Sequence, residues 1–303
     1  MDGLLIIDKP PGCTSHDVVL RVRKLLGTRR VGHGGTLDPE ATGVLLIALG
    51  QATRFFPYLS GQDKIYEGTI RLGYATDTYD ASGHPTSEEK TTGLPSAAEI
   101  EAAMRALEGA IFQAPPAYSA KKVGGRPAYK LARARKEFIL EPVRVMVSAF
   151  MFKNYTPPFV EFEAQCSSGT YIRSLAHDLG KKLGCGAHLH SLRRTSVGPN
   201  GLAQAVSLGD VEKAVEEARV HELIIPLEKL LPEAPAVVLS PGAVTRAKNG
   251  AALFPEHLTG PLGGSPAWGE TPLFRVFDPS GKFLALARPS PDRDSLRPFL
   301  IVR

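Results

Sequence analysis

The stretch Gly32-His33-Gly34-Gly35-Thr36-Leu37-Asp38-Pro39-Glu40-Ala41-Thr42-Gly43 constrains this chain most, because it runs directly into Val44-Leu45-Leu46-Ile47-Ala48-Leu49. A short continuous apolar run bounded by breakers reads as a fully buried strand. The glycines ahead of it permit backbone angles closed to other residues and let a ligand approach the main chain. Pro39 fixes its own φ and biases Asp38 towards an extended conformation. One carboxylate is thereby set at the mouth of a buried strand. Taken alone, the loop better suits an Asx-type turn in which Asp38 bonds its own backbone. The rest of the chain favours a reacting group.

Around this loop the pattern predicts strands mixed with helices. Residues 3–7 read as a buried strand closed by Pro10, Pro11 and Gly12. Ser15 is expected to cap a helix with Val18, Val19, Val22, Leu25 and Leu26 on one face and Gly27 at its end. Alternation predicts a strand over 64–74, and 76–95 is a polar loop long enough to be functional. Ser96 and Glu99 form a capping box for a helix to Leu107. Strands are expected over 143–152 and 159–166, then a helix over 170–183 with Ile172, Leu175, Leu179 and Leu183 inward. The absence of strict βαβ alternation predicts an α+β fold with a mixed, largely antiparallel sheet and flanking helices.

A boundary is expected near Leu231-Pro232-Glu233-Ala234-Pro235, where prolines gather. Beyond it, 260–269 reads as loop, 274–286 as a hairpin across Pro279-Ser280-Gly281, and 296–302 as a final strand. With 303 residues, 43% hydrophobic and 22% charged, neither disorder nor a fibrous repeat is indicated and two domains are expected. The 3 cysteines do not make a disulfide framework and suit a reducing compartment. No apolar run approaches the roughly 20 residues needed to span a bilayer, and the N-terminus carries no basic leader, so a cytoplasmic location is expected.

Net charge is +5, and where the charge sits matters more than its sum. Lys121, Lys122, Arg126, Lys130, Arg133, Arg135 and Lys136 run without an acidic residue among them, with Tyr118 and Tyr129 alongside. Such a run is either a solvated face or an ordered element on a flexible base that closes on a phosphate backbone. Thr170 is expected to cap its helix, which puts Arg173 in the first turn. The helix dipole disfavours a cation there, so Arg173 requires an anionic partner, a carboxylate or a phosphate. Arg193 and Arg194 either contact phosphate or are solvated. Cys185, His188 and His190 carry zinc-ligand chemistry without an evident full ligand set, which favours a structural or RNA-facing role. No Walker loop, dinucleotide fingerprint or Ser-His-Asp signature appears, which leaves Asp38 as the best candidate for a carboxylate at a reacting centre.

Ordered motifs then resemble one family, the bacterial tRNA pseudouridine-55 synthases. They are Asp8-Lys9-Pro10-Pro11-Gly12-Cys13-Thr14-Ser15, the Gly-His-Gly-Gly-Thr-Leu-Asp-Pro loop, Lys64-Ile65-Tyr66, and Leu72-Gly73 with Thr76-Asp77-Thr78. Pro115-Pro116-Ala117-Tyr118-Ser119-Ala120-Lys121, Gly169-Thr170-Tyr171-Ile172-Arg173 and His188-Leu189-His190-Ser191-Leu192-Arg193-Arg194 complete the series. The resemblance implies that Asp38 is the catalytic aspartate and that Arg173 pairs with it. It implies that Tyr66 stacks on a flipped uracil and that His33 fills the space the base leaves. Lys9, Tyr171, Lys121, Lys130, Arg133, Arg193 and Arg194 are expected at the RNA interface.

The same resemblance implies a catalytic domain over 1–232, with a thumb-like RNA-binding insertion over about 113–136 and a PUA-like RNA-binding domain over 233–303. The expected reaction isomerises uridine 55 in the T-arm stem-loop of tRNA by base flipping, glycosidic cleavage and C5–C1′ rejoining. It involves neither redox chemistry nor hydrolysis, so no cofactor and no metal are expected. The insertion favours a standalone enzyme, a monomer needing no guide RNA, over a guide-dependent synthase. Intact Asp38, Tyr66 and Arg173 disfavour a non-catalytic RNA-binding protein.

Overall fold

The structure, a computed structural model, describes residues 1–119, 121–134, 136–259, 273–292 and 294–302. The chain opens with β1 (Gly3–Lys9), α1 (Ser15–Leu26), β2 (Val31–Gly34) and β3 (Thr42–Leu49). A short helix α2 (Phe56–Leu59) leads to β4 (Lys64–Leu72), followed by α3 (Ala97–Arg105) and β5 (Gly109–Gln113). The basic segment folds as a hairpin, β6 (Lys122–Val123) and β7 (Arg126–Pro127), with a helix α4 (Ala128–Arg133). Next come β8 (Val143–Thr156), β9 (Phe159–Cys166), α5 (Ile172–Lys182), β10 (Ala187–Val197), β11 (Asn200–Gly201), α6 (Leu208–Glu216) and β12 (Ile224–Ile225). The last elements are β13 (Ala236–Leu239), α7 (Val244–Lys248), β14 (Leu258–Thr259), β15 (Phe274–Phe277), β16 (Phe283–Pro289) and β17 (Leu296–Ile301).

The main sheet runs β12-β1-β3-β10-β4-β9-β8-β5, with β2 on β3 and β11 on β10. Of its pairings only β3 with β10 is parallel, so the fold is α+β with a mixed, largely antiparallel sheet as expected. That parallel pair is very close. A Cβ on Gly43, where φ is +99°, would lie 2.1 Å from the Arg194 carbonyl oxygen. One sheet face carries Leu5, Ile7, Leu45, Ile47, Ile70 and Phe150 and is covered by Val18, Ile100, Leu175 and Val211 from α1, α3, α5 and α6.

Local signals explain the helix limits. Thr14, not the expected Ser15, caps α1: Asp17 N donates to Thr14 Oγ1 at 3.1 Å, and Thr14 N donates to Asp17 Oδ2 at 2.8 Å. Gly27 ends that helix in the left-handed region. Ser96 and Glu99 form the expected capping box, although α3 stops at Arg105. Tyr171, not Thr170, is the N-cap of α5, and Arg173 still falls in its first turn.

Residues 236–301 add a second, five-stranded sheet, β14-β13-β15-β16-β17, that includes the expected hairpin. It is not isolated from the first. Leu4, Ile6, Val44, Leu46 and Phe55 share one apolar cluster with Phe283, Leu286 and Leu300. Arg288 lies 4.5 Å over the Phe299 ring and donates to the Tyr58 hydroxyl at 2.7 Å. The loop expected over 260–269, and Arg135 of the basic run, lie outside the described residues. Among the described residues no helix is long and apolar enough to cross a membrane.

Candidate active site

Asp38 lies between β2 and β3, and its loop is held from below by side chains distant in sequence. Ser15, freed from capping, accepts from Leu37 N at 2.9 Å and donates to Leu37 O at 3.2 Å. Lys9 is fully buried, and its ammonium donates to Pro10 O at 2.8 Å, Cys13 O at 2.8 Å and Pro39 O at 2.9 Å. All three of its protons are used inside the protein. The expectation that Lys9 faces RNA is therefore corrected: it knits the turn after β1 to the Asp38 loop. Burial pushes its pKa down, against the attraction of Cys13, Glu40 and Asp38.

The anionic partner that Arg173 required is Asp38. Arg173 Nε meets Asp38 Oδ2 at 2.8 Å, and Nη2 meets Oδ1 at 3.0 Å, a two-point hold. The arginine side chain is 7% exposed while the aspartate, at 39%, opens to the cavity. Arg173 also donates to Thr78 O at 3.2 Å and to Tyr118 O at 3.0 Å, and lies 3.5 Å from Asp80 Oδ2. Desolvation raises the Asp38 pKa above the ordinary carboxylate value; Arg173 opposes that rise and Asp80 adds to it.

Asp80 was not singled out from sequence. Its Oδ1 accepts from Thr78 Oγ1 at 2.7 Å, Ser82 N at 3.0 Å and Ser82 Oγ at 2.6 Å, which turns Oδ2 towards Arg173. Tyr79 beside it has φ of +64°, uncommon for a non-glycine residue, and stacks on His177 with ring centroids 3.8 Å apart. The 76–95 loop is thus shaped to present Thr78 and Asp80. The sequence signal available was the Asp80-Ala81-Ser82 turn, which reads as local chemistry only.

The pair stands at the wall of a cavity of about 500 Å³, lined also by Lys64, Tyr66, Tyr118, Ser119, Tyr129, Tyr171, Leu192 and Arg194. That volume suits one small ligand or nucleotide. Tyr66 on β4 sits opposite Arg194 on β10 and is 6% exposed. Burial raises its phenol pKa, and the adjacent Arg194 guanidinium counters it. Alternation along β10 separates the two arginines that the sequence grouped. Arg193 turns outward to Asp8 Oδ2 at 2.7 Å. Arg194 turns inward, is 1% exposed, and donates to Val44 O at 2.7 Å and Gly35 O at 3.0 Å. Arg194 is therefore part of the cavity wall and not a surface phosphate contact. Lys64 lies nearby, donating to Ser60 O and Gln62 O at 2.9 and 2.6 Å, with its pKa lowered to about 8 by burial and by Arg194.

His33 lies on β2 outside that lining; burial, His16 and Arg194 push its pKa down, and its Nδ1 has no hydrogen-bond partner among the described residues. The basic segment 121–134 presents Lys130 and Arg133 to solvent, with Lys121 half-buried. The Arg133 guanidinium is 5.6 Å from the centroid of Tyr129, itself on the cavity wall. At the root of the segment Ser174 Oγ donates to Ala114 O at 2.8 Å, and Gln113 pairs with the Tyr171 backbone. His188 is buried against Tyr74, whose carbonyl is 3.1 Å from its Nδ1, whereas His190 is exposed beside Phe159. Among the described residues no three His, Cys, Asp or Glu side chains converge as metal ligands.

The site is thus a carboxylate clamped by arginine at the wall of a nucleotide-sized cavity, on an α+β sheet. The profile of the TruB family pseudouridylate synthase N-terminal domain matches residues 23–172. That of the tRNA pseudouridylate synthase B C-terminal domain matches 173–232. The tRNA pseudouridine synthase B of Thermobifida fusca is 45% identical over 295 residues, covering 94% of each chain. That of Solibacter usitatus is 46% identical over 250 residues, covering 82% of this chain and 85% of the relative. Among solved structures, an H/ACA RNP bound to a substrate RNA containing 2′-deoxyuridine aligns with a TM-score of 0.73 at 26% identity, over 99% of this chain and 85% of that one. A Cbf5-Nop10-Gar1 complex aligns with a TM-score of 0.73 at 27% identity, over 98% and 84%. The chain belongs to the TruB family of pseudouridylate synthases. It is an isomerase.

Proposed function

We propose that this enzyme converts uridine 55 in the T-arm loop of tRNA to pseudouridine, with Asp38 as the catalytic carboxylate. The observation that carries this reading is the two-point hold of a buried Arg173 on Asp38 at the wall of a nucleotide-sized cavity. Similarity to proteins named tRNA pseudouridine synthase B supports tRNA as the substrate.

The target uridine is stacked in the folded arm and must be flipped out to reach Asp38. Tyr66 then flanks the base, and the uncharged His33 imidazole occupies the space it vacates. Cleavage of N1–C1′ builds positive charge at the sugar, which the Asp38 carboxylate opposes in a partly desolvated site. The bond's electron pair leaves with the base. Behind Tyr66 stand Lys64 and Arg194, neither with an ion-pair partner among the described residues, and their positive field favours that anionic base. The free base turns, C5 bonds to C1′, the C5 proton is lost and N1 gains one, so substrate and product are isomers. No redox partner is required.

In this reading Lys121, Lys130, Arg133 and Arg193 contact RNA backbone, and Tyr171 lines the nucleotide pocket. Residues 1–232 act as the catalytic domain and 233–303 as a PUA-like RNA-binding module. The enzyme works as a monomer without guide RNA or a metal. Incubation of the purified chain with unmodified tRNA alone, followed by pseudouridine mapping, tests this. Modification at position 55 is expected; modification elsewhere, or only with an added RNA or protein, would contradict it.

A further inference from the structure

Gln113 is the last residue of edge strand β5 and is fully buried. Its side-chain amide pairs with one peptide of a distant element: Nε2 donates to Tyr171 O at 3.1 Å, and Tyr171 N donates to Oε1 at 2.7 Å. Tyr171 is the N-cap of α5 but its own side chain caps nothing; Gln113 Oε1 instead takes the free backbone N–H at this helix start. Arg173 follows two residues later. On the other side of Gln113, Ala114 O accepts from Ser174 Oγ at 2.8 Å. The stiff Pro115-Pro116 step then leads to Tyr118, whose carbonyl accepts from Arg173 at 3.0 Å. The root of the basic segment and the start of α5 are therefore fastened together around the arginine that holds Asp38.

We propose that Gln113 is a positioning residue that ties the root of the basic insertion to the start of α5 and so holds Arg173 where it clamps Asp38. This rests on the reading of Asp38 and Arg173 as the reacting pair. A fully buried amide whose donor and acceptor are both matched leaves one arrangement of the two elements favoured. Because Arg173 also takes Tyr118 O, any shift of the root moves an acceptor of the guanidinium itself.

The test uses the full chain. Gln113→Met keeps the shape without the amide, and Gln113→Glu keeps the acceptor for Tyr171 N but loses the donor for Tyr171 O. Single-turnover rates at saturating RNA, RNA affinity and melting temperature are measured for each, and for each combined with Arg173→Lys. In Gln113→Met the bound-state rate is expected to fall about tenfold to a hundredfold, as for a misplaced reacting group, with affinity within about threefold. Gln113→Glu should lie between it and wild type. If Gln113 acts through Arg173, the double variant loses less than the product of the single losses. A wild-type rate in either folded variant, or losses that multiply in full with that of Arg173→Lys, would overturn the proposal. Should Gln113→Met not fold, Gln113→Glu decides alone by the same criteria. Turnover by Asp38→Asn would instead overturn the underlying reading, whatever Gln113 does.

Discussion

Arg173 grips Asp38 side-on, Nε to Oδ2 at 2.8 Å and Nη2 to Oδ1 at 3.0 Å, while Asp80 stands 3.5 Å from the opposite end of the same guanidinium. The arginine therefore sits between two carboxylates and is anchored by two carbonyls, so it holds Asp38 in position and opposes the rise in its pKa that burial causes.

Replacing Arg173 with Met removes the guanidinium that opposes burial, so the Asp38 pKa rises further. Asp38 acts as the carboxylate, and a raised pKa means it takes up its proton at a higher pH as the solution is acidified. The acid limb of the single-turnover profile is expected to move upward in pH, with the plateau rate reduced on the order of a hundredfold. Arg173→Lys keeps a charge without the two-point hold and should move the limb less. An acid limb unmoved in both variants would contradict this electrostatic role.

Lys9→Met tests whether that buried lysine is structural. Three carbonyls lose their donor, and a stability loss on the order of 3 kcal/mol is expected in denaturant titration. The slope of log RNA affinity against log salt should stay at its wild-type value, because a buried ammonium displaces no counterion from RNA. A reduced slope in a variant of full stability would return Lys9 to the RNA interface.

Lys130 and Arg133 are exposed and serve the opposite test. Neutralising both should weaken binding and reduce that slope by about 0.9 per lost contact on a duplex stem, and about 0.7 on a single strand. A solvated face would leave slope and affinity nearly unchanged. Fold stability should hold in either case.

His177 stacks on Tyr79, its Nδ1 has no hydrogen-bond partner among the described residues, and burial with Lys181 lowers its pKa to about 4. The unfolded chain binds a proton at this residue below about 6.5, which the folded chain refuses until about pH 4. Stability contributed here is thus lost as pH falls through that window. His177→Phe keeps the ring contact and should lessen the fall of melting temperature between those two values. An identical pH dependence would remove His177 from the account.

The Asp38–Arg173 pair was accessible from sequence because each half carries a local signal. Asp38 stands in a loop of glycines and proline, and Arg173 stands where a helix dipole disfavours a cation. Asp80 and Gln113 carry no such signal. Asp80 looks like a turn residue serving its own neighbours, and Gln113 reaches across 58 positions to Tyr171. Lys9 was misplaced because a lysine before Pro-Pro-Gly resembles an exposed turn, while the carbonyl that buries it, Pro39 O, lies 30 residues away. Arg193 and Arg194 were grouped because β10 carried no recognised strand pattern, and without the strand their opposite faces are invisible. The shared core beneath the second sheet is likewise a long-range property, since Leu4 and Leu300 read only as apolar residues at the two ends of the chain.

Asp38→Asn keeps the size of the side chain and removes its charge, and its effect on product formation bears most directly on the mechanism. The purified variant is incubated with unmodified tRNA, and pseudouridine is mapped while RNA affinity is measured in parallel. The expected result is no turnover with affinity within about tenfold of wild type, or roughly 1.4 kcal/mol. Substantial pseudouridine formation by the variant would contradict the assignment of Asp38 as the catalytic carboxylate.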